Sequence, residues 1–163
     1  MRRHNALVAL CTFTAVLTGC SGNSSITFRD RESGLTFRYP RSWSATGFSN
    51  TNSPHRLVVA SYDVEPDEVE GDCGGMRALQ ALPPGGAAVL LIDYGASVSF
   101  APHPNHFMLS EFSRGNYECF GESYMFRFHR GGHDLQAHVA LGGRASADRR
   151  RKALAILDSL QHE

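Results

Sequence analysis

Between residues 34 and 43 the chain reads GLTFRYPRSW. Leu35, Phe37 and Tyr39 point one way, and Thr36 and Arg38 the other. A period of two is the mark of a half-buried strand, and Pro40 stops it. RLVVASYDV at 56–64 predicts a second strand, apolar enough to be central, and AAVLLIDYG at 87–95 predicts a nearly continuous apolar one. HFMLSEF at 106–112 predicts another, with Phe107 and Leu109 facing inward. GGMRALQAL at 74–82 predicts a short helix, ended by Pro83, Pro84 and two glycines.

The clearest unit is SYMFRFHRGGHDLQAHVALG, read as a hairpin turning at Gly131 and Gly132, since glycine accepts the positive φ of a two-residue turn. That turn sets Phe128 opposite Leu135, Phe126 opposite Ala137 and Tyr124 opposite Val139, making one apolar face. The other face pairs Arg127 with Gln136, Met125 with His138 and His129 with Asp134. A terminal helix follows in SADRRRKALAILDSLQ. Ser146 is its N-cap, Asp148 lies in the first turn, and Ala153, Ile156, Leu157 and Leu160 form one apolar stripe. Hairpin-linked strands with such a helix predict an α+β domain: an antiparallel sheet with flanking helices, the C-terminal helix packed on it.

The first residues follow a different pattern. Arg2 and Arg3 precede the apolar run ALVALCTFTAVL, whose 12 residues are too few to span a bilayer, which takes about 20. LTGC, ending at Cys20, resembles the lipobox of bacterial lipoproteins: an aliphatic residue, a small one, Gly or Ala, then Cys. The resemblance implies a diacylglyceryl group on the Cys20 thiol, cleavage just before it, and acylation, typically with palmitate, of the new amino terminus. The alternative is an ordinary secretory signal with a chance cysteine. The expected organisation is a signal peptide at 1–19, a lipidated tether at 20–25 and a single domain at 26–163, held on the extracytoplasmic face of a cell membrane.

Removing the signal leaves 14 basic and 16 acidic residues, a net charge of −2, because Arg2 and Arg3 go with it and all 16 acids follow Cys20. A nearly neutral domain predicts no broad field to attract nucleic acid or anionic headgroups. Cys11 also leaves with the signal. Cys73 and Cys119 remain and are expected to form one disulfide, as leftover pairs in exported proteins do; a metal pair or a redox pair is the alternative, and there is no C-x-x-C.

A second resemblance lies at the two ends of the domain. Gly34, Phe37, Tyr39, Pro40 and Trp43, with Ile156, Leu157, Ser159 and Leu160, are similar to the opening strand and closing helix of PsbP-like domains. That family implies an antiparallel sheet with helices packed on it, often in extracytoplasmic proteins. Its best-known members are non-enzymatic, and no metal or docking residue carries over on these positions.

Candidate chemistry is sparse. His103, His106, His129, His133 and His138 are the imidazoles a zinc or copper site would need, but prolines flank the first two, and Asp134 opposite His129 makes a cross-strand charge pair without a metal. His138 is expected on the same polar face, as a surface imidazole. Asp63, Glu65, Asp67, Glu68, Glu70 and Asp72 lack the spacing of a calcium loop and read as a solvated segment. Ser123, in GESYM, lacks the trailing glycine of a nucleophile elbow and reads as a strand residue. Trp43, Phe48 and Tyr39 read as core aromatics beside the first strand rather than as the lining of a ligand cleft.

The sequence therefore points to a membrane-anchored envelope lipoprotein: a non-catalytic binding or scaffold module with no cofactor, no metal and no enzymatic activity. Its expected partners are the membrane, through the lipid on Cys20, and an envelope protein or ligand. The alternatives are a metal- or small-ligand-binding lipoprotein and an envelope hydrolase.

Overall fold

Apolar alternation accounts for the strands at the centre of the fold. The computed structural model describes residues 24–50, 53–65, 73, 76–96 and 99–162. Its strands are β1 (Ser25–Arg29), β2 (Leu35–Pro40), β3 (Ser44–Asn50), β4 (Ser53–Ala60), β5 (Ala87–Asp93), β6 (Ser113–Tyr117), β7 (Gly121–Arg130), β8 (His133–Leu141) and β9 (Gln161–His162). Among the described residues there are also two helices, α1 (Met76–Gln80) and α2 (Ala147–Asp158), and a short 3₁₀ turn at Leu109–Glu111. The strands form a three-stranded sheet, β1-β2-β9, and a six-stranded sheet, β3-β4-β5-β8-β7-β6, antiparallel at every pairing.

This corrects the α+β expectation. Strands take 47% of the described residues and helices 16%, and only α2 exceeds two turns, so the protein is mostly β rather than a helix-flanked sheet. The strands that sequence patterning overlooks are β1, β3, β6 and β9, and each lies at the edge of its sheet. Edge strands bury little, and SATGFSN, SRGNY and QH carry no apolar alternation; SITFR does, through the half-buried Ile26 and Phe28, but over only five residues. Ser25, assigned to the tether, is the first residue of β1.

The β7–β8 hairpin has the expected register, with Phe128 opposite Leu135, Met125 opposite His138 and His129 opposite Asp134. Gly131 and Gly132 turn it at φ 58° and 87°, both in the left-handed region that glycine enters without a Cβ clash. One face of the large sheet meets the main core. Leu57, Val59, Val89, Leu91, Phe128, Leu135, Ala137 and Val139 pack there against Leu35 and Phe37 of the small sheet and the stripe Ala153, Ile156, Leu157 and Leu160. Ser146 caps α2 by accepting from the Arg149 N–H at 3.2 Å.

The opposite face is also covered. Val58, Ala60, Leu90, Ile92 and Ala140 form a second cluster with Ala78 and Leu79 of α1. Every residue of β5 is therefore buried, which explains its unbroken apolar run. The segment at 106–112 is not a strand. Phe107 and Phe112 enter the core from a loop, and the Phe107 N–H is satisfied by Asp158 Oδ1 at 2.8 Å instead of by a neighbouring strand.

Candidate functional site

Ser24 is tied to the end of β2. The Arg41 N–H donates to the Ser24 carbonyl at 2.9 Å, which holds the first described residue against the turn after β2. On the far edge of β2, Ser159 just beyond α2 accepts from the Arg38 N–H at 2.8 Å and donates to the Ile156 carbonyl at 2.8 Å. Its side chain thus extends the β2 ladder that β9 begins at Thr36. These two clamps leave a groove of about 550 Å³ between the start of β1, the end of β2 and α2. Tyr39, Pro40 and Ala155 supply its apolar wall, and Arg38, Arg41 and Lys152 its charge. The Lys152 ammonium is held by Asp148 at 2.8 Å, one helical turn away. No ion pair engages the Arg38 or Arg41 guanidinium among the described residues.

A second concentration of polar groups lies on the other face of the large sheet. Met125 faces His138 across the β7–β8 ladder, so Ser123, two residues back on the same face, is its diagonal neighbour. Ser123 Oγ lies 3.0 Å from His138 Nδ1, and Gln136 Nε2 lies 2.7 Å from His138 Nε2. The direction of this chain follows from its far end. Arg127 Nε donates to Gln136 Oε1 at 2.9 Å, which turns the amide nitrogen toward His138. His138 Nε2 must then accept, so Nδ1 carries the proton and donates to Ser123. His138 is fully buried, against the expectation of a surface imidazole, because the rings of Tyr117 and Phe120 close over it at 5.2 and 4.6 Å. Burial, aided by the Arg127 charge, lowers its pKa to about 4. An imidazole that donates to a serine does not take its proton, so this arrangement does not activate Ser123 as a nucleophile.

Cys73 and Cys119 lie at disulfide distance, with Cα atoms 4.9 Å apart across 46 residues of chain. Cys119 sits in the turn between β6 and β7, and Cys73 just ahead of α1. The link would bind α1 over the second core, where Tyr62 also holds it by donating to the Ala78 carbonyl at 2.6 Å.

The other imidazoles are each engaged separately. His129 pairs with Asp134 at 2.9 Å, as its cross-strand position predicts, and His133 with Asp93 at 2.8 Å. His103 Nε2 lies 3.1 Å from the Leu157 carbonyl, and the exposed His106 lies 3.6 Å from Asp158. His55, not singled out from sequence, lies between Asp30 at 3.0 Å and Glu32 at 3.7 Å, joining the two sheets. Among the described residues no group of three His, Cys, Asp or Glu is placed to hold a metal ion. Asp63 and Glu65 are exposed, while Asp67, Glu68, Glu70 and Asp72 lie outside the described residues, as do Cys11 and Cys20. Trp43 is in the main core and Phe48 packs on the second, whereas Tyr39 both touches the core and lines the groove.

Sequence reasoning missed the groove. Arg38 and Lys152 are 114 residues apart in the chain, and no local pattern joins them. The Ser123–His138 contact was implicit in the hairpin register as a diagonal pair.

No protein-family model matches the chain, and no curated protein matches it either. A solved structure from Bacteroides thetaiotaomicron VPI-5482 is similar with a TM-score of 0.44 and 12% identity, over 84% of this chain and 48% of that one. The chain thus spans about half the length of that structure. So slight a likeness carries neither fold nor function across. None of these comparisons bears on the lipobox or on the PsbP-like positions. Among the described residues no helix is long and apolar enough to cross a membrane.

Proposed function

We propose that this protein is a lipid-anchored, non-catalytic binding module on the extracytoplasmic face of a cell membrane, with Cys20 carrying the lipid. The observation behind this reading is the position of Ser24. Ser24 is clamped by Arg41 at the mouth of an open groove, and Cys20 is four residues earlier. Four residues span at most about 14 Å. A lipid on Cys20 would therefore hold this end of the domain against the bilayer, where the groove stands ready for a ligand. Two or more acyl chains give lasting attachment at about 0.8 kcal/mol per buried methylene. The closed Ser123–His138 pair, with the imidazole as donor, favours binding over hydrolysis as the work of the domain. A disulfide between Cys73 and Cys119 is part of the same proposal and suits an oxidising compartment.

Detergent phase partition of the full chain tests the anchor. Wild type should enter the detergent phase and incorporate labelled palmitate, and Cys20→Ala should do neither. Identical partition of the two proteins would end the reading.

A further inference from the structure

We propose that the groove formed by Arg38, Arg41 and Lys152 binds the phosphate of an anionic phospholipid headgroup, so that the domain reads the membrane to which it is tethered. This rests on the anchored reading, and it departs from the expectation drawn from net charge. A total near zero says nothing about distribution, and here the cations collect at the end where the tether leaves.

Three observations converge on the groove. Arg38 and Arg41 line it with no ion-pair partner among the described residues, and Lys152, the third cation, pairs there with Asp148. A guanidinium offers a planar fork that matches two phosphate oxygens, and an ammonium offers a point charge beside it. The apolar wall of Tyr39, Pro40 and Ala155 suits the glycerol and first methylenes next to such a phosphate better than it suits a free, fully hydrated ion. The third observation is reach. The headgroup layer is roughly 5–8 Å thick on each side of the hydrocarbon core, and the four-residue tether keeps Ser24 within about 14 Å of the lipid-bearing residue. Ser24 itself lines the groove.

The tether also removes the need for high affinity. Cations near an anionic surface contribute about 1 kcal/mol each, too little alone for durable binding by three of them. Linkage through Cys20 makes the contact intramolecular, and the effective headgroup concentration becomes large. The consequence is orientation. With the groove seated on headgroups, α2 and the end of β2 face the membrane, and the second face of the large sheet, with α1, is directed elsewhere.

The test uses the non-acylated chain from Ser21 to Glu163, which keeps every described element, so its outcome is independent of whether Cys20 is lipidated. At about 10 mM lipid, enough to populate an attraction of about 3 kcal/mol without the tether, it should co-sediment with phosphatidylglycerol vesicles and not with phosphatidylcholine vesicles, and salt should weaken the binding. The variant Arg38→Gln/Arg41→Gln/Lys152→Gln should bind roughly 100-fold more weakly, three contributions of about 1 kcal/mol each. Its thermal melt should match wild type, since no buried contact is lost. The variant Arg149→Gln/Arg150→Gln/Arg151→Gln, on the same helix but outside the groove, should lose much less. Equal losses in the two variants would make the attraction a diffuse charge effect and overturn the groove as the site. Equal binding to both vesicle types, or binding of inorganic phosphate without binding of vesicles, would overturn the headgroup assignment.

Discussion

Ser123 Oγ lies 3.0 Å from His138 Nδ1, and both side chains are shut away from solvent. The pair resembles a catalytic dyad in distance but runs in the opposite direction. Arg127 fixes the Gln136 amide, Gln136 donates to His138, and His138 donates to Ser123. Nitrogen-detected NMR of the imidazole should show the proton on Nδ1. A proton on Nε2 would reverse the chain and reopen Ser123 as a nucleophile.

The same burial predicts a pH dependence. The folded-state pKa of His138 is lowered from 6.5 to about 4, by burial first and the Arg127 charge second. A histidine depressed in the folded state favours folding at pH values above its unfolded pKa. As pH falls from 6.5 toward about 4 the unfolded chain takes up the proton first and this contribution disappears. The full loss is about 3 kcal/mol. Urea midpoints measured across that window should fall for wild type more steeply than for His138→Leu, which is less stable at neutral pH but lacks this term. Parallel slopes would refute the assignment.

A bridge between Cys73 and Cys119 closes a 46-residue separation, for which the chain-entropy account gives about 4 kcal/mol. Cys73→Ser should lower the denaturation midpoint, and added reductant should lower wild type to nearly the same value. Peptide mapping without reductant should recover the two cysteines in one linked fragment. Free thiols at both positions in exported protein would remove the bridge.

Gly142 is hemmed in by backbone rather than by side chains. Its N–H donates to the Gly86 carbonyl at 3.0 Å, and a Cβ there would strike the Pro83 and Pro84 carbonyls. Peptide groups tied into a hydrogen-bonded turn cannot swing aside as a side-chain tip can. Gly142→Ala should destabilise by about 1–3 kcal/mol, as forced overpacking does, whereas Gly143→Ala, which meets open space, should change the melt far less.

Ser146→Ala removes the N-cap of α2 and should cost about 1 kcal/mol. Thermal melts should show the loss, and Ser146→Asp should restore most of it, since an Asp oxygen can still accept from the Arg149 N–H.

The sequence by itself determined the interior. β2, β4, β5, β7 and β8 are flanked by strands on both sides, and their burial writes an apolar pattern that can be read directly. The two-glycine turn fixed the register of one hairpin residue by residue, and a capped amphipathic stripe fixed α2. What tertiary structure decided was the rim. β1, β3, β6 and β9 are held by backbone hydrogen bonds to a neighbour on one side only, which place little demand on side-chain polarity, so three mostly polar segments and the five-residue SITFR became strands and an expected α+β domain became a mostly β one. His138 was decided there too, since its burial comes from Tyr117 and Phe120, aromatic side chains in and just after β6. The groove belongs to the same class: Arg38, Arg41 and Lys152 meet because the end of α2 is clamped to the edge of β2 through Ser159, a contact between residues 121 positions apart.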